Sequence, residues 1–251
     1  MIEQLASVLE GWGVSKALDQ LEFLLDPKTL PFAIWETLYA PMLAAVLAYC
    51  IGLPLGVLLV TGEEHGIRPL PKAFMKVLNT VINLLRSIPF LILMVMVFPL
   101  SRLILGTAVG TTATIVPLTV AAAPYVARLV EASLREMDRG VIEAAQSMGC
   151  STWQIITKVM LPECLPSLIN GATNAAITIL GYGAMAGAIG GGGLGSMSLM
   201  RGHGRNQVIV LYVSVIILVI LVQILQSIGT ALCEKSDKRI KYTTKKRRLH
   251  Q

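Results

Sequence analysis

The sequence predicts an all-α integral membrane protein: five transmembrane helices with a pair of short amphipathic helices on the cytoplasmic side. Three observations carry this. Only 14% of the 251 residues are charged and 54% are hydrophobic, against about 25% charged in an ordinary soluble domain, and mean hydropathy is +0.69. Charge is spread unevenly, since Glu36 is the only charged side chain between residues 30 and 61 while the last 18 residues hold eight Lys/Arg. Five stretches also have the roughly 20 apolar residues that a helix needs to cross a hydrocarbon core about 30 Å thick. Such a chain cannot coat itself for water, and a soluble enzyme is excluded.

Residues 1–29 hold Glu3, Glu10, Asp19, Glu22 and Asp26 without an uninterrupted apolar run, which reads as an acidic, helical, extracytoplasmic extension and not as a signal peptide. The membrane domain covers 30–232, with spans expected near 31–60, 77–105, 111–129, 167–188 and 208–232. The second contains Arg86, Pro89 and Pro99, and the third Pro117 and Pro124. Each proline removes a backbone donor and kinks its helix, so both helices are expected within a bundle. Arg86 facing lipid at a helix centre would cost at least ~2.5 kcal/mol, so it is expected to form an ion pair or an interfacial anchor.

In the fourth span Gly171 and Ala175 form a small-residue ridge suited to close helix approach, and that face predicts self-association into a homodimer. Tyr182 and Met185 are the bulky side chains of an otherwise thin stretch. They are expected to line and narrow a translocation path, with Met185 as the plug, or alternatively to pack against the second and third helices. The run 190–195 satisfies G-x-G-x-x-G but follows a membrane helix and not a strand, so a flexible outer loop or a re-entrant turn is expected there, not a dinucleotide site. Residues 201–205 are expected as a solvated outer loop, with a contact for a substrate-delivery protein as the alternative. The tail 233–251 is a basic cytoplasmic anchor near anionic membrane lipid, with no role in nucleic-acid binding.

With the N-terminus outside, 16 Lys/Arg fall on the inner side and five on the outer, which fixes the orientation by the positive-inside rule. The loop 130–166 is then cytoplasmic and much longer than a helix connection needs. Val141, Ala144, Ala145 and Met148 fall at i, i+3, i+4 and i+7, one apolar stripe on a short helix that Gly149 ends as a left-handed cap. Ser151 and Gln154 make a capping-box pattern that starts a second helix. That helix carries Trp153, Ile156 and Met160 as its stripe and ends at Pro162. A short helix pair with acidic Glu143 and Glu163 fits a groove on a partner protein better than lipid headgroups.

These residues resemble a known family. Glu143-Ala144-Ala145, Gly149 and 159–162 (Val-Met-Leu-Pro) are similar to the EAA signature of type I ABC importer permeases, with Val159 where the pattern has Ile. The segments 86–90, 115–120, 181–185 and 190–195 extend the resemblance to the methionine-uptake subfamily over about residues 31–232. The resemblance implies that Glu143, Ala144, Ala145, Gly149, Leu161 and Pro162 belong to a coupling helix docking on an ATP-binding cassette ATPase, present in two copies, that binds ATP and Mg. It further implies a homodimeric permease in the bacterial cytoplasmic membrane, an extracytoplasmic substrate-binding lipoprotein, and L- and D-methionine as substrate. An importer of another small amino acid is the alternative.

The chain has no G-x-x-x-x-G-K-[ST], so no phosphate-cradling loop of its own. An ATP-independent secondary transporter would need a mid-membrane ionisable group or an inverted repeat. A membrane enzyme would need a convergent acid, base or nucleophile, which Glu36, Arg86 and Arg128 do not form. His65, His203 and His250 lie in separate loops, and Cys50, Cys150, Cys164 and Cys233 lack metal-ligand spacing, so no catalytic or metal site is expected.

Overall fold

The computed structural model describes residues 14–237, and all regular structure among them is helical. A short helix α1 (Val14–Leu25) precedes α2 (Leu30–Thr61). The chain turns into α3 (Lys72–Ser87) and α4 (Phe90–Leu105), and a 3-10 turn (Thr112–Thr114) opens α5 (Ile115–Arg135). Then come α6 (Arg139–Ser147) and α7, a rod of three contiguous pieces: Thr152–Gln154, a π-helical Ile155–Met160, and Leu161–Glu163. α8 (Leu165–Ala186) runs back across the molecule. A 3-10 turn (Gly187–Ile189) and α9 (Gly193–Ser196, continued as the π segment Met197–His203) make a hairpin before α10 (Val208–Ser236). Readings that concern residues 1–13 and 238–251 lie outside the described residues.

Four helical segments, Leu30–Thr61, Thr112–Arg135, Leu165–Ile189 and Val208–Ser236, are long and apolar enough to cross a membrane, and they match the first, third, fourth and fifth expected spans. The second is corrected: α3 and α4 meet at 109° instead of forming one rod. Proline is the cause. Pro89 has no N–H to donate, and its ring forces Ile88 out of the helical region to an extended φ of −80° and ψ of 127°. Counted as one broken span, the pair completes five. Pro99 and Pro124, by contrast, sit inside helices that continue past them.

The core is the crossing of α2 and α5. Ala40, Ala44, Ala48, Gly52 and Gly56 recur every four residues on α2, and Leu118, Ala122, Val126, Val130 and Leu134 do so on α5; all ten are buried. Two rows at i+4 spacing interlock as ridges into grooves, and the small residues of α2 let the backbones come close. A side chain at Gly52 would stand 2.7 Å from Val126 Cβ, so the larger α5 residues already fill that space.

Candidate functional site

The loop between α5 and α8 is built from local cap chemistry. Asp138 Oδ1 accepts from the Gly140 amide at 2.8 Å and starts α6. At its end Gly149 takes a φ of +77°, its amide donating to Gln146 O at 2.9 Å while the Cys150 amide donates to Ala145 O at 3.1 Å. These two bonds are the Schellman pattern. Two residues on, the Ser151 amide donates to Gln154 Oε1 at 2.8 Å and the Gln154 amide to Ser151 Oγ at 3.4 Å, completing the expected capping box. The α6–α7 joint is thus fixed from both sides.

The apolar faces need correction. Ala145 is 2% exposed and packs into the core cluster with partly buried Ile142, whereas Val141, Ala144 and Met148 point outward at i, i+3 and i+7. On α7 it is Ile155 and Met160 that are buried, with Ile156 partly so, while Trp153 is 72% exposed. The rod continues one residue past Pro162, which directly follows the π-helical Ile155–Met160 and Leu161, and breaks at Cys164. Leu161 packs partly buried against the core; Glu143 and Pro162 are exposed. The loop therefore bolts to the bundle through Ala145, Ile155 and Met160 and presents Val141, Ala144, Met148 and Trp153 outward.

Above this loop a charge network joins three elements. Arg128 Nη1 donates to Glu131 Oε2 at 2.6 Å, and Arg128 Nη2 donates to Asn79 Oδ1 at 2.8 Å and Asn83 Oδ1 at 2.9 Å on α3. Arg135 donates to Glu131 Oε1 at 2.8 Å and pairs with Glu63 in the α2–α3 turn. Glu131 is only 10% exposed at its side chain, so two guanidinium groups compensate one nearly buried carboxylate. Arg86, expected as an ion pair or an interfacial anchor, is exposed with no carboxylate within ion-pair distance among the described residues, and Arg128 holds the interior position. A cleft of about 970 Å³ opens beside the network, lined in part by Glu63, Lys76, Arg135, Arg139, Glu143 and Gln146.

α8 uses its small residues inside the chain. Ala175 is 0% exposed, and Gly171 faces Leu129, Tyr49 and Ser133, so this ridge serves α2 and α5 and is not a free surface for a second copy. The open face is a different one: Asn170, Asn174, Gly181 and Met185 are exposed and fall along one stripe with half-buried Thr178. Met185 is 50% exposed at its end. Tyr182 stacks on Phe90, the first residue of α4, with ring centroids 4.3 Å apart and planes 7° apart, so it packs against the bend of the second span.

At the end of the molecule remote from α6 and α7, the glycine run is a packed turn. Glu36 Oε2 accepts from the Gly193 amide at 2.8 Å and Oε1 from Thr111 Oγ1 at 2.5 Å. Thr37 Oγ1 accepts from the Leu194 amide at 2.8 Å. Acceptors from α2 thus cap the N-terminus of α9, where unpaired amides and the helix dipole favour a carboxylate. Any side chain at Gly192 would overlap Thr111 and Glu36. The sequence reading passed over this clasp, although an isolated acid in a long apolar helix signals a partner. Residues 201–205 are not simply a solvated loop either, since the Arg201 guanidinium lies 3.8 Å from the centroid of the Phe23 ring on α1.

Comparison with known proteins agrees with this architecture. Residues 52–242 match the model of the family described as "Binding-protein-dependent transport system inner membrane component". The chain is 47% identical over 220 residues to the probable D-methionine transport system permease protein MetI of Vibrio cholerae, covering 86% of this chain and 96% of that one. It is 45% identical to the methionine import system permease protein MetP of Bacillus subtilis over 67% of this chain and 76% of that one. Among solved structures, it is similar to a chain of the inward-facing MetNI methionine ABC transporter in its native crystal form, with a TM-score of 0.81, 42% identity, and coverage of 83% and 96%. With five apolar helical spans and a family match over most of its length, the chain belongs to the inner membrane permease components of binding-protein-dependent ABC transport systems.

Proposed function

We propose that this chain is the permease subunit of an ATP-driven importer of methionine, in its L and D forms, working as a homodimer with two copies of an ATP-binding cassette ATPase. The names of its relatives support the substrate. The observation that carries the coupling role is the outward face of the loop: Val141, Ala144, Met148 and Trp153 are exposed on helices whose other sides are locked to the bundle. An apolar helix face of this kind suits a groove on a partner.

In this reading Glu143, Ala144, Gly149 and exposed Pro162 meet the ATPase, while Ala145 and Leu161 hold the helices that transmit its motion. ATP and Mg are bound and used by that partner. The loop face is cytoplasmic and the N-terminus outside, a reading supported by the distribution of 16 against five basic residues. An extracytoplasmic lipoprotein delivers the substrate to the opposite end. Met185, on the open stripe of α8, narrows the path together with its copy in the second subunit, and Tyr182 sits beside it.

Radiolabelled methionine uptake into vesicles holding the reconstituted complex tests the proposal. Uptake is expected only with ATP and the binding protein present, and excess unlabelled D-methionine should compete. Uptake by this chain alone, or uptake unchanged by omitting the ATPase, would refute it. Crosslinks placed at Val141 or Met148 should capture the ATPase, whereas Ala145, being buried, should not.

A further inference from the structure

The face of α1 that is left uncovered points to a site for lipid. At about 100° per residue, the described side chains of α1 fall into three sectors. Gln20, Phe23 and Leu24 turn inward; Leu18, Leu21 and Leu25 occupy a second arc, 60%, 43% and 80% exposed; Asp19 and Glu22 occupy a third and are exposed. Contacts set the depth of this helix. Gln20 Oε1 accepts from the Ile209 amide at 3.0 Å, in the first turn of α10. Leu24 is buried in one cluster with Ala33 of α2, Leu194 and Met197 of α9, and Val210 of α10. Arg201 covers Phe23.

α1 is therefore held level with residues 33 and 209–210, where two membrane spans begin. The first turns of α2, at the same level, present Phe32 and Trp35 as further large apolar side chains, 57% and 61% exposed. A helix with separate apolar and acidic arcs at this depth suits the boundary between headgroups and acyl chains, where tryptophan also collects. We propose that α1 is an interfacial helix: Leu18, Leu21 and Leu25 enter the boundary of the leaflet on the N-terminal side, Asp19 and Glu22 stay in water, and the inner arc holds the α9 hairpin against the outer end of α10.

The full chain, assembled with its ATPase and binding protein in phospholipid vesicles, tests this by site-specific photocrosslinking with benzoylphenylalanine. The probe at Leu18, Leu21 or Leu25 should yield phospholipid adducts, and at Asp19 or Glu22 none. Adducts to the binding protein or to a second copy from the leucine positions, or no adduct there, would overturn the proposal. The same probe at Ile220, exposed midway along α10, separates this from the membrane reading itself. Lipid adducts at Ile220 without any at the leucines would sink the interfacial helix alone.

Discussion

Gly149 offers the sharpest test of the coupling joint. Nothing lies within 4 Å of where its Cβ would be, so a substitution there meets no steric obstacle. The only cost is backbone conformation at a φ of +77°, which for an ordinary L-residue is roughly 1–2 kcal/mol. Gly149→Ala should carry that cost in full, Gly149→Asn less because asparagine tolerates this region, and Gly149→Val most because its branched Cβ crowds the backbone. If the joint escapes the strain by relaxing, the Gly149 and Cys150 amide bonds open and α6 changes its angle to α7. The population of loops with the docking geometry then falls by a factor of about 5–30 for Ala. The assay is the affinity of the purified permease for its ATPase, measured by titration across the series, alongside a melting curve of the permease alone. Affinity should fall in the order Gly, Asn, Ala, Val, with melting little changed because α6 is held to the bundle elsewhere. Equal affinity for Gly and Ala, or Asn binding worse than Ala, would refute the argument.

Other predictions concern the remaining features. Glu36→Ala strands the Gly193 amide and the Thr111 hydroxyl and should cost about 2–4 kcal/mol, whereas Glu36→Gln keeps an acceptor and should cost less than half as much; thermal melts of both variants decide, and equal losses would count against the clasp. Glu131→Gln leaves Arg128 and Arg135 without their shared carboxylate and should cost about 3 kcal/mol, seen as a melting point lower by roughly 6–12 °C. Met185→Ala should raise substrate leak or uncoupled ATPase activity in vesicles, and unchanged transport and coupling would remove Met185 as a constriction. Burial first, and then the negative charge of Glu136 and Glu163, push the Cys164 thiol above its usual range. Because the thiolate is the reactive form, alkylation of Cys164 should accelerate only at higher pH than that of free cysteine, which mass spectrometry of timed maleimide reactions would show.

What could be read from the sequence was whatever is settled within one turn of chain. The capping box at Ser151 and the left-handed Gly149 follow from side chains bonding their own backbone, so tertiary context had little to change. Four of the spans were equally legible, because apolar length suffices to define them. The direction of a face was not. Val141, Ala144, Ala145 and Met148 span a broad arc, and only the presence of the bundle against Ile142 and Ala145 splits it into a bolted side and an open one. Gly171 and Ala175 misled for the same reason: a small-residue ridge announces close packing without saying whether the neighbour is the same chain. The α3–α4 bend was signalled by Pro89, but not its 109° or the stacking of Phe90 on Tyr182, 92 residues further along the chain. Periodicity did contain the α2–α5 crossing, in Ala40, Ala44, Ala48, Gly52 and Gly56, a spacing hidden by the uniform apolarity around it.

The order of these parts along the chain gives the proposed coupling a mechanical form. Between the end of α7 at Glu163 and the start of α8 at Leu165 stands a single residue, Cys164. A push on the outward face of α6 and α7 reaches α8 without a flexible linker to absorb it. From Leu165 to Met185 is 20 residues of continuous helix, about 30 Å at 1.5 Å per residue, so a tilt of about 5° at the loop end moves Met185 by about 3 Å. That displacement arrives at the turn into the α9 hairpin, which Glu36 and Thr37 tie to α2 through the Gly193 and Leu194 amides. Either the hairpin follows α8 and the clasp opens, or the clasp holds and the tilt is spent in bending α8. Glu36 thus stands at the far end of the lever from Gly149, and the two positions should differ in kind: changes at Gly149 weaken how the push enters, while changes at Glu36 alter what resists it.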